Sequence, residues 1–430
     1  MKINKATLLE QVKKLKKHGL GDVFLSSVFC EMISFLISVF VVRILSKEDY
    51  GYYAIAYNIY GYISVFVGCG LSNGILQYCS ESRAESEKSS IYDFCRKFGT
   101  VFNIALLLAM PLLSLILLGD AARPYFVAMS GWPLVAYFSN YYLMRLRVKK
   151  DNRHFMLSNV ISATVFLGSS AILAEVMGVM GYIIALYIKY AVSFVTSAYF
   201  LNKHHGQTKA TERLTKKLKT EIVKYSLICC LTNFASHILI LADVTCVNLL
   251  VGEAAAVATY KTAAQIPTAL MFIPSSIIVF VFPYLAQNNR NYLWLKRQSK
   301  NLLAGILGIN TLISFAVFLL APVIVRILWG TRYLDAVPVL RILTINFLVT
   351  GSFNMVFGNI MVAVKKVNVN LVKTVVCSCL NIALDIVLIN CYGSVGAALA
   401  TLTVSICSST FSVIYYKMWI RKKLIAEGIR

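Results

Sequence analysis

The chain has 430 residues, of which 58% are hydrophobic and 14% charged. Soluble domains carry about 25% charged and about 45–50% apolar residues, so a soluble enzyme, a disordered tail protein and a disulfide-stapled secreted domain are all excluded. The formal net charge of +23 invites a nucleic-acid reading, which the placement of the basic residues removes.

The first 20 residues are polar and lysine-rich, with Lys13, Lys14, Lys16 and Lys17 set among Val12, Leu15 and Leu20. No short apolar core with a small-residue cleavage site follows, so no cleaved signal peptide is expected. A short amphipathic helix on the cytoplasmic surface is expected instead. Apolar stretches then recur with short breaks, each long enough for a hydrocarbon core that takes about 20 residues to cross. The first six run Val23 to Leu45, Gly51 to Tyr78, Phe98 to Leu118, Pro124 to Leu146, Phe155 to Glu175 and Gly181 to Leu201. The second six run Ile222 to Val251, Ala256 to Ala286, Leu302 to Leu328, Ala336 to Val364, Leu371 to Cys391 and Val395 to Tyr416. Pro267 and Pro274 are expected bend points inside the eighth span.

Basic residues concentrate in alternate loops, which fixes orientation by the positive-inside rule. With the amino terminus inside, the cytoplasmic tails and loops hold all of the 42 Lys and Arg residues except Arg43, Lys47, Arg123, Lys189, Lys261, Arg326, Arg332 and Arg341. The positive charge is therefore a topology signal, both termini are cytoplasmic, and nucleic acid is not a partner. The 11 cysteines are scattered at membrane depth without metal-type spacing and read as small apolar fillers.

The two halves of the chain resemble each other. Val148-Lys149-Lys150-Asp151-Asn152 recurs as Val364-Lys365-Lys366-Val367-Asn368, and Pro111 with Gly119 recurs as Pro322 with Gly330. Gly178, Gly181 and Ala185 recur as Gly393, Gly396 and Ala400. Three matches in order at a nearly constant shift indicate a duplication. Six spans per half make the repeats parallel in the membrane, an architecture of transporters with the substrate site between the halves. The expected organisation is an all-α polytopic membrane protein of about twelve helices in two parallel six-helix repeats around a central cavity. Its parts are an amino-terminal lobe (1–201) with a basic amphipathic tail, a basic cytoplasmic linker (202–220) and a carboxy-terminal lobe (221–430).

Polar groups are costly in hydrocarbon and belong at a cavity or a partner. Ser27, Glu31, Ser34 and Ser38 form one stripe of the first span, and Asn58, Tyr62 and Ser72 align on the second. Asn233, Ser236, His237, Asp243 and Asn248 fall on an arc of roughly 140° of the seventh span at 100° per residue. Lys261, Gln265, Thr268 and Ser275 stack on the eighth. A wet cavity lined by these four spans is the simplest expectation. Lys189 in the sixth span and Lys261 would favour an anionic substrate there, or would each neutralise a carboxylate or reach to the surface. Glu31, Asp243 and Asp385 (with Asn381 and Ser378 on its face) are the buried carboxylates. They read either as sites responsive to protons or sodium ions that couple transport to an ion gradient, or as structural salt bridges and hydrogen-bonded helix contacts. His237 reads as a polar residue facing the cavity. No Walker-type phosphate loop is present, no Asp-x-Asp triplet accompanies a soluble lobe, and the outer loops are short. An ATPase motor is thereby excluded, and no enzymatic activity and no bound cofactor are expected.

The stretch Arg43-Ile-Leu-Ser-Lys-Glu-Asp-Tyr-Gly-Tyr-Tyr-Ala, with Gly68-Cys-Gly-Leu-Ser-Asn-Gly, resembles the start of Wzx-type polysaccharide repeat-unit flippases. These belong to the multidrug/oligosaccharidyl-lipid/polysaccharide exporter superfamily. Ala321-Pro-Val-Ile-Val-Arg-Ile-Leu-Trp-Gly, Tyr333-Leu-Asp-Ala-Val-Pro-Val-Leu-Arg-Ile-Leu and Tyr392-Gly-Ser-Val-Gly-Ala-Ala-Leu-Ala-Thr extend the resemblance through the second half. It implies a flippase that moves an undecaprenyl-diphosphate-linked O-antigen or related oligosaccharide to the outer leaflet of the bacterial inner membrane. Alternating access, a cationic lumen and a coupling H+ or Na+ come with it. Membrane lipids, the polysaccharide polymerase and the chain-length machinery are the implied partners. Lys189, Lys261 and Arg341 are the positions it points to for diphosphate or acidic-sugar contact, with Gln265, Asn58, Asn233 and His237 completing the cavity set. A multidrug/cation antiporter of the same superfamily is the alternative.

Overall fold

The computed structural model describes residues 20–81, 84–205, 214–364 and 366–427. The expected amphipathic amino-terminal tail and the middle of the expected linker lie outside the described residues. All regular structure among the described residues is helical. In chain order the helices are α1 (Leu20–Ile44), α2 (Lys47–Ser64), α3 (Leu71–Ser80), α4 (Glu85–Leu117), α5 (Arg123–Ala128), α6 (Trp132–Val148) and α7 (Asn152–His205). They continue as α8 (Lys216–Val251), α9 (Ala254–Leu270), α10 (Phe272–Gln287), α11 (Tyr292–Leu328), α12 (Ala336–Val349), α13 (Met355–Ala363), α14 (Val367–Tyr392) and α15 (Ser394–Ala426).

Eight stretches of the described residues are long and apolar enough to cross a membrane. One of them, 152–204, holds two spans, because α7 breaks at Gly178. The helices α1, α5–α6 and α8 complete the twelve spans expected from hydropathy. Large apolar side chains point outward along these spans, Ile116 at 83% exposure and Leu312 at 73% among them. Water would penalise that surface and lipid accommodates it.

Local chemistry sets the breaks. Ser46 caps α2 by accepting from the Asp49 backbone N–H at 3.0 Å, and Glu48 and Asp49 complement the positive end of the helix dipole. The second span is interrupted between α2 and α3, where Gly68, Cys69 and Gly70 all take left-handed conformations. Asn103 of α4 holds that kink, its Oδ1 accepting from the Gly68 N–H at 3.2 Å while its amide donates to the Gly99 carbonyl at 2.6 Å. A side chain at Gly68 would run into the buried ring of Tyr137, so the positive φ and the close approach both require glycine there. The eighth span breaks at Met271, between Pro267 and Pro274 as expected, and the tenth carries a π turn at Thr350–Asn354.

The duplication is visible in backbone geometry. Gly178 (φ 59°, ψ −134°) and Gly393 (φ 57°, ψ −136°) end the fifth and eleventh spans in the same conformation, open only to glycine. Three residues on, Gly181 packs against the Leu173 carbonyl and Gly396 against the Leu388 carbonyl. At the preceding turns, Asp151 N–H donates to Leu146 O (3.0 Å) and Lys366 N–H to Met361 O (2.8 Å).

The chain forms two compact units, Met1–Ile238 and Leu239–Arg430. The division falls inside α8, whose first half packs with the first unit. There, Ile222 joins Leu71, Ile75, Ile91, Tyr137 and Tyr141 in one buried cluster. Tyr137 and Tyr141 donate to the carbonyls of Cys95 and Tyr92, tying α6 to α4. The second unit centres on Ile278, Leu285, Leu295, Val356, Phe357, Ile360 and Tyr416.

Candidate functional site

Hydrocarbon-depth carboxylates must find partners, and in the second unit they find each other. Asp243 of α8 is 8% exposed and Asp385 of α14 fully buried. The Asn381 amide donates to Asp243 Oδ1 at 2.7 Å and to Asp385 Oδ2 at 2.9 Å. Helical spacing explains half of this bridge, because positions 381 and 385 lie one turn apart on a single face. Thr401 of α15 donates to Asp243 Oδ2 at 2.6 Å, and the Tyr260 hydroxyl of α9 donates to the same oxygen. Among the described residues, the buried Oδ1 of Asp385 finds no hydrogen-bond donor.

Two carboxylates this close cannot both stay ionised in a low-dielectric site without a compensating positive charge. The groups at the pair are the Asn381 amide N–H2, which faces both carboxylates as a donor, and carboxylate and hydroxyl oxygens, which suit a hard monovalent cation or a shared proton. The orphaned Asp385 oxygen fits either. Sequence reading singled out Asp243, and Asp385 with Asn381 on its face, but did not join the two carboxylates. It missed Tyr260 and Thr401 and had no means to bring the four helices together.

The remaining predicted residues fall into smaller groups. In the first unit, Lys189 is half-buried on the second half of α7, with its ammonium 4.9 Å from the Phe166 ring centroid and in electrostatic reach of Glu31 on α1. Glu31 is itself exposed, Asn58 is buried on α2, Asn233 is exposed and His237 half-buried on α8. The Lys189 neighbour Ser193 is used in helix packing, accepting from Ser139 at 2.7 Å.

In the second unit, Lys261 and Gln265 sit half-buried one turn apart on α9. Lys261 has no hydrogen bond or ion pair among the described residues, and its surroundings are desolvating. Arg341 has a structural employment. Pro322 lacks an N–H, which leaves the Phe318 carbonyl without its helical donor; Arg341 Nε donates to that carbonyl at 3.2 Å, and its guanidinium lies over the Phe318 ring.

Lys373 is a cation that the charge count assigned to a cytoplasmic loop. The structure buries it on α14, donating to Asn354 Oδ1 of the π turn at 2.6 Å and to Ser412 Oγ at 2.9 Å.

Comparison with known proteins identifies the family and the fold. Residues 19–289 match the polysaccharide biosynthesis protein family. An uncharacterized membrane protein of Methanocaldococcus jannaschii is 23% identical over 95% of this chain and 84% of its own length. An inward-facing multidrug resistance MATE family transporter of the MOP superfamily has a TM-score of 0.78 at 14% identity, covering 93% of this chain and 98% of that one. The lipid II flippase MurJ in an inward closed conformation gives 0.76 at 16% identity, covering 92% and 87%. With well over half of its length matched, the chain is a multi-pass membrane protein that belongs to the polysaccharide biosynthesis protein family and carries the fold of the multidrug/oligosaccharidyl-lipid/polysaccharide exporters.

Proposed function

We propose that the protein is a flippase that moves an undecaprenyl-diphosphate-linked oligosaccharide repeat unit, of an O antigen or a related polysaccharide, from the cytoplasmic to the outer leaflet. The site of action is the bacterial cytoplasmic membrane, with both termini inside and no catalytic step. The family match supports the glycan substrate. The observation that supports the mechanism is the Asp243–Asn381–Asp385 cluster, a buried pair of carboxylates that requires a proton or Na+. Loading and unloading that cation changes the charge of a packed four-helix core, which is the differential interaction an alternating-access cycle needs. Lys261, a half-buried cation without a carboxylate partner among the described residues, supplies an anion contact for the diphosphate. Lys189 stands beside Glu31 and reads as a charge pair that opens to substrate. The polymerase and chain-length machinery are the downstream partners in this reading.

Deleting the gene in its host and extracting lipids for mass spectrometry tests it. Loss of surface polymer with single lipid-linked repeat units accumulating, both reversed by the wild-type gene, is the expected result. Intact polymer with newly acquired drug sensitivity would move the assignment to a multidrug/cation antiporter, whose fold the chain shares.

A further inference from the structure

A second site lies away from the carboxylate cluster, where the first turns of α11 meet the last turns of α15. The two helices and α13 enclose a crevice of about 970 Å³, at the upper end of the range for small-molecule pockets. Its deep wall is apolar, with Phe357, Ile420 and Leu424 all buried. Tyr416 fixes the floor: its hydroxyl lies 2.8 Å from Ser299 Oγ and 3.2 Å from the Leu295 carbonyl, which pins α15 to α11.

The mouth has the opposite character. Lys296 and Lys300 stand one turn apart on α11, Lys417 and Arg421 one turn apart on α15, and all four line the crevice and are exposed. Among the described residues, no carboxylate lines it. Like charges at this spacing disfavour each helix, and two such pairs facing one opening repel each other further. An apolar slot closed by four cations matches a molecule with an apolar tail and an anionic head.

We propose that this crevice is a binding site for an anionic phospholipid of the cytoplasmic leaflet, with its phosphate among Lys296, Lys300, Lys417 and Arg421 and an acyl chain against Phe357, Ile420 and Leu424. Basic pockets between helices on the cytoplasmic side bind phosphorylated lipid heads in this way. The site is independent of the transported substrate. It would anchor α11 and α15, and so favour membranes rich in anionic lipid.

Native mass spectrometry of the detergent-purified protein, titrated with phosphatidylglycerol or phosphatidylethanolamine, tests this. Wild type should retain phosphatidylglycerol in preference. The variant Lys300→Gln/Arg421→Gln should lose about 25-fold in relative affinity, at about fivefold per charge. The control Arg297→Gln/Lys422→Gln removes two exposed charges outside the crevice and should keep the preference. Equal loss in both variants would overturn the site in favour of general surface charge, and an unchanged preference in Lys300→Gln/Arg421→Gln would overturn it outright. If that pair fails to fold, judged by thermal unfolding, Lys300→Gln alone should show a fivefold loss, and no loss would overturn the proposal. Displacement of the lipid by glycerol 3-phosphate at equal concentration would make this a free-phosphate site and sink the lipid assignment.

Discussion

Replacing Asp385 by Asn preserves shape and removes one charge from the carboxylate cluster, so its consequences can be worked from the structure. Asp243 Oδ1 and Asp385 Oδ2 accept from the same nitrogen at 2.7 and 2.9 Å, so the two oxygens are no more than about 5.6 Å apart. At an effective dielectric constant of about 20, two unit charges at that distance repel by about 3 kcal/mol. On the proposed mechanism, a bound cation or proton relieves this repulsion in wild type. Asp385→Asn relieves it permanently, and the variant should lose about 3 kcal/mol of cation binding, roughly a hundredfold in affinity. Thermal unfolding of the purified protein, scanned against Na+ concentration at fixed pH and against pH without Na+, reads both effects. Wild type should gain stability as Na+ is added and lose it as pH rises in Na+-free buffer, because the ionised pair is then uncompensated. Asp385→Asn should be flat in both scans and at least as stable as ion-free wild type. A variant whose melting temperature still climbed with Na+, or still fell with pH, to the wild-type extent would refute the cluster as the coupling site.

Further outcomes follow from the geometry. Thr401→Val removes a 2.6 Å hydrogen bond to the Asp243 carboxylate and should cost about 1.5–3 kcal/mol in unfolding free energy, with weakened Na+ response. Lys261→Ala should abolish transport of lipid-linked repeat units in a complementation assay while the protein inserts at normal levels, Lys261→Arg should be milder, and wild-type flux in Lys261→Ala would remove the anion contact. Arg341→Met should destabilise by about 1–3 kcal/mol by stranding the Phe318 carbonyl yet leave flux per folded molecule unchanged; a selective flux defect would make Arg341 a substrate contact instead. Gly393→Ala should cost about 1–3 kcal/mol from backbone conformation alone, since its Cβ meets nothing within 4 Å. Gly396→Ala, which collides with the Leu388 carbonyl, should unfold the protein at lower temperature than Gly393→Ala.

The fold was legible because membrane spans announce themselves over some 20 residues and do not need their partners to be recognised. Repetition added a second signal: Gly178 and Gly393, matched in sequence, take the same glycine-only conformation. Prolines at 267 and 274 bracketed the break at Met271 for a local reason, the loss of intrahelical donors. The kink at Gly68–Gly70 had a local signal as well, two glycines around one cysteine, but its anchor Asn103 comes from another span.

The site followed another rule. Its donors to Asp243 come from positions as far as 158 residues away, and nothing in the neighbourhood of Thr401 or Tyr260 marks either as a partner of a carboxylate. Helical periodicity finds residues that share a face of one helix, which is how Asn381 and Asp385 were seen together; it is silent about which faces meet. Charge counting failed for the same reason at Lys373, where a residue near a span end is read as cytoplasmic although Asn354 and Ser412 hold it inside. Arg341 shows the converse, a charge at membrane depth whose partner is a carbonyl stranded by a proline on the neighbouring helix. In a membrane protein a polar residue therefore carries two distinct messages. Its presence in a span says that it has a partner, and only packing says whether that partner is another part of the chain. Asp243 and Asp385 are joined through Asn381, and among the described residues one oxygen of Asp385 has no donor, so that remainder is where a test for a bound proton or cation belongs.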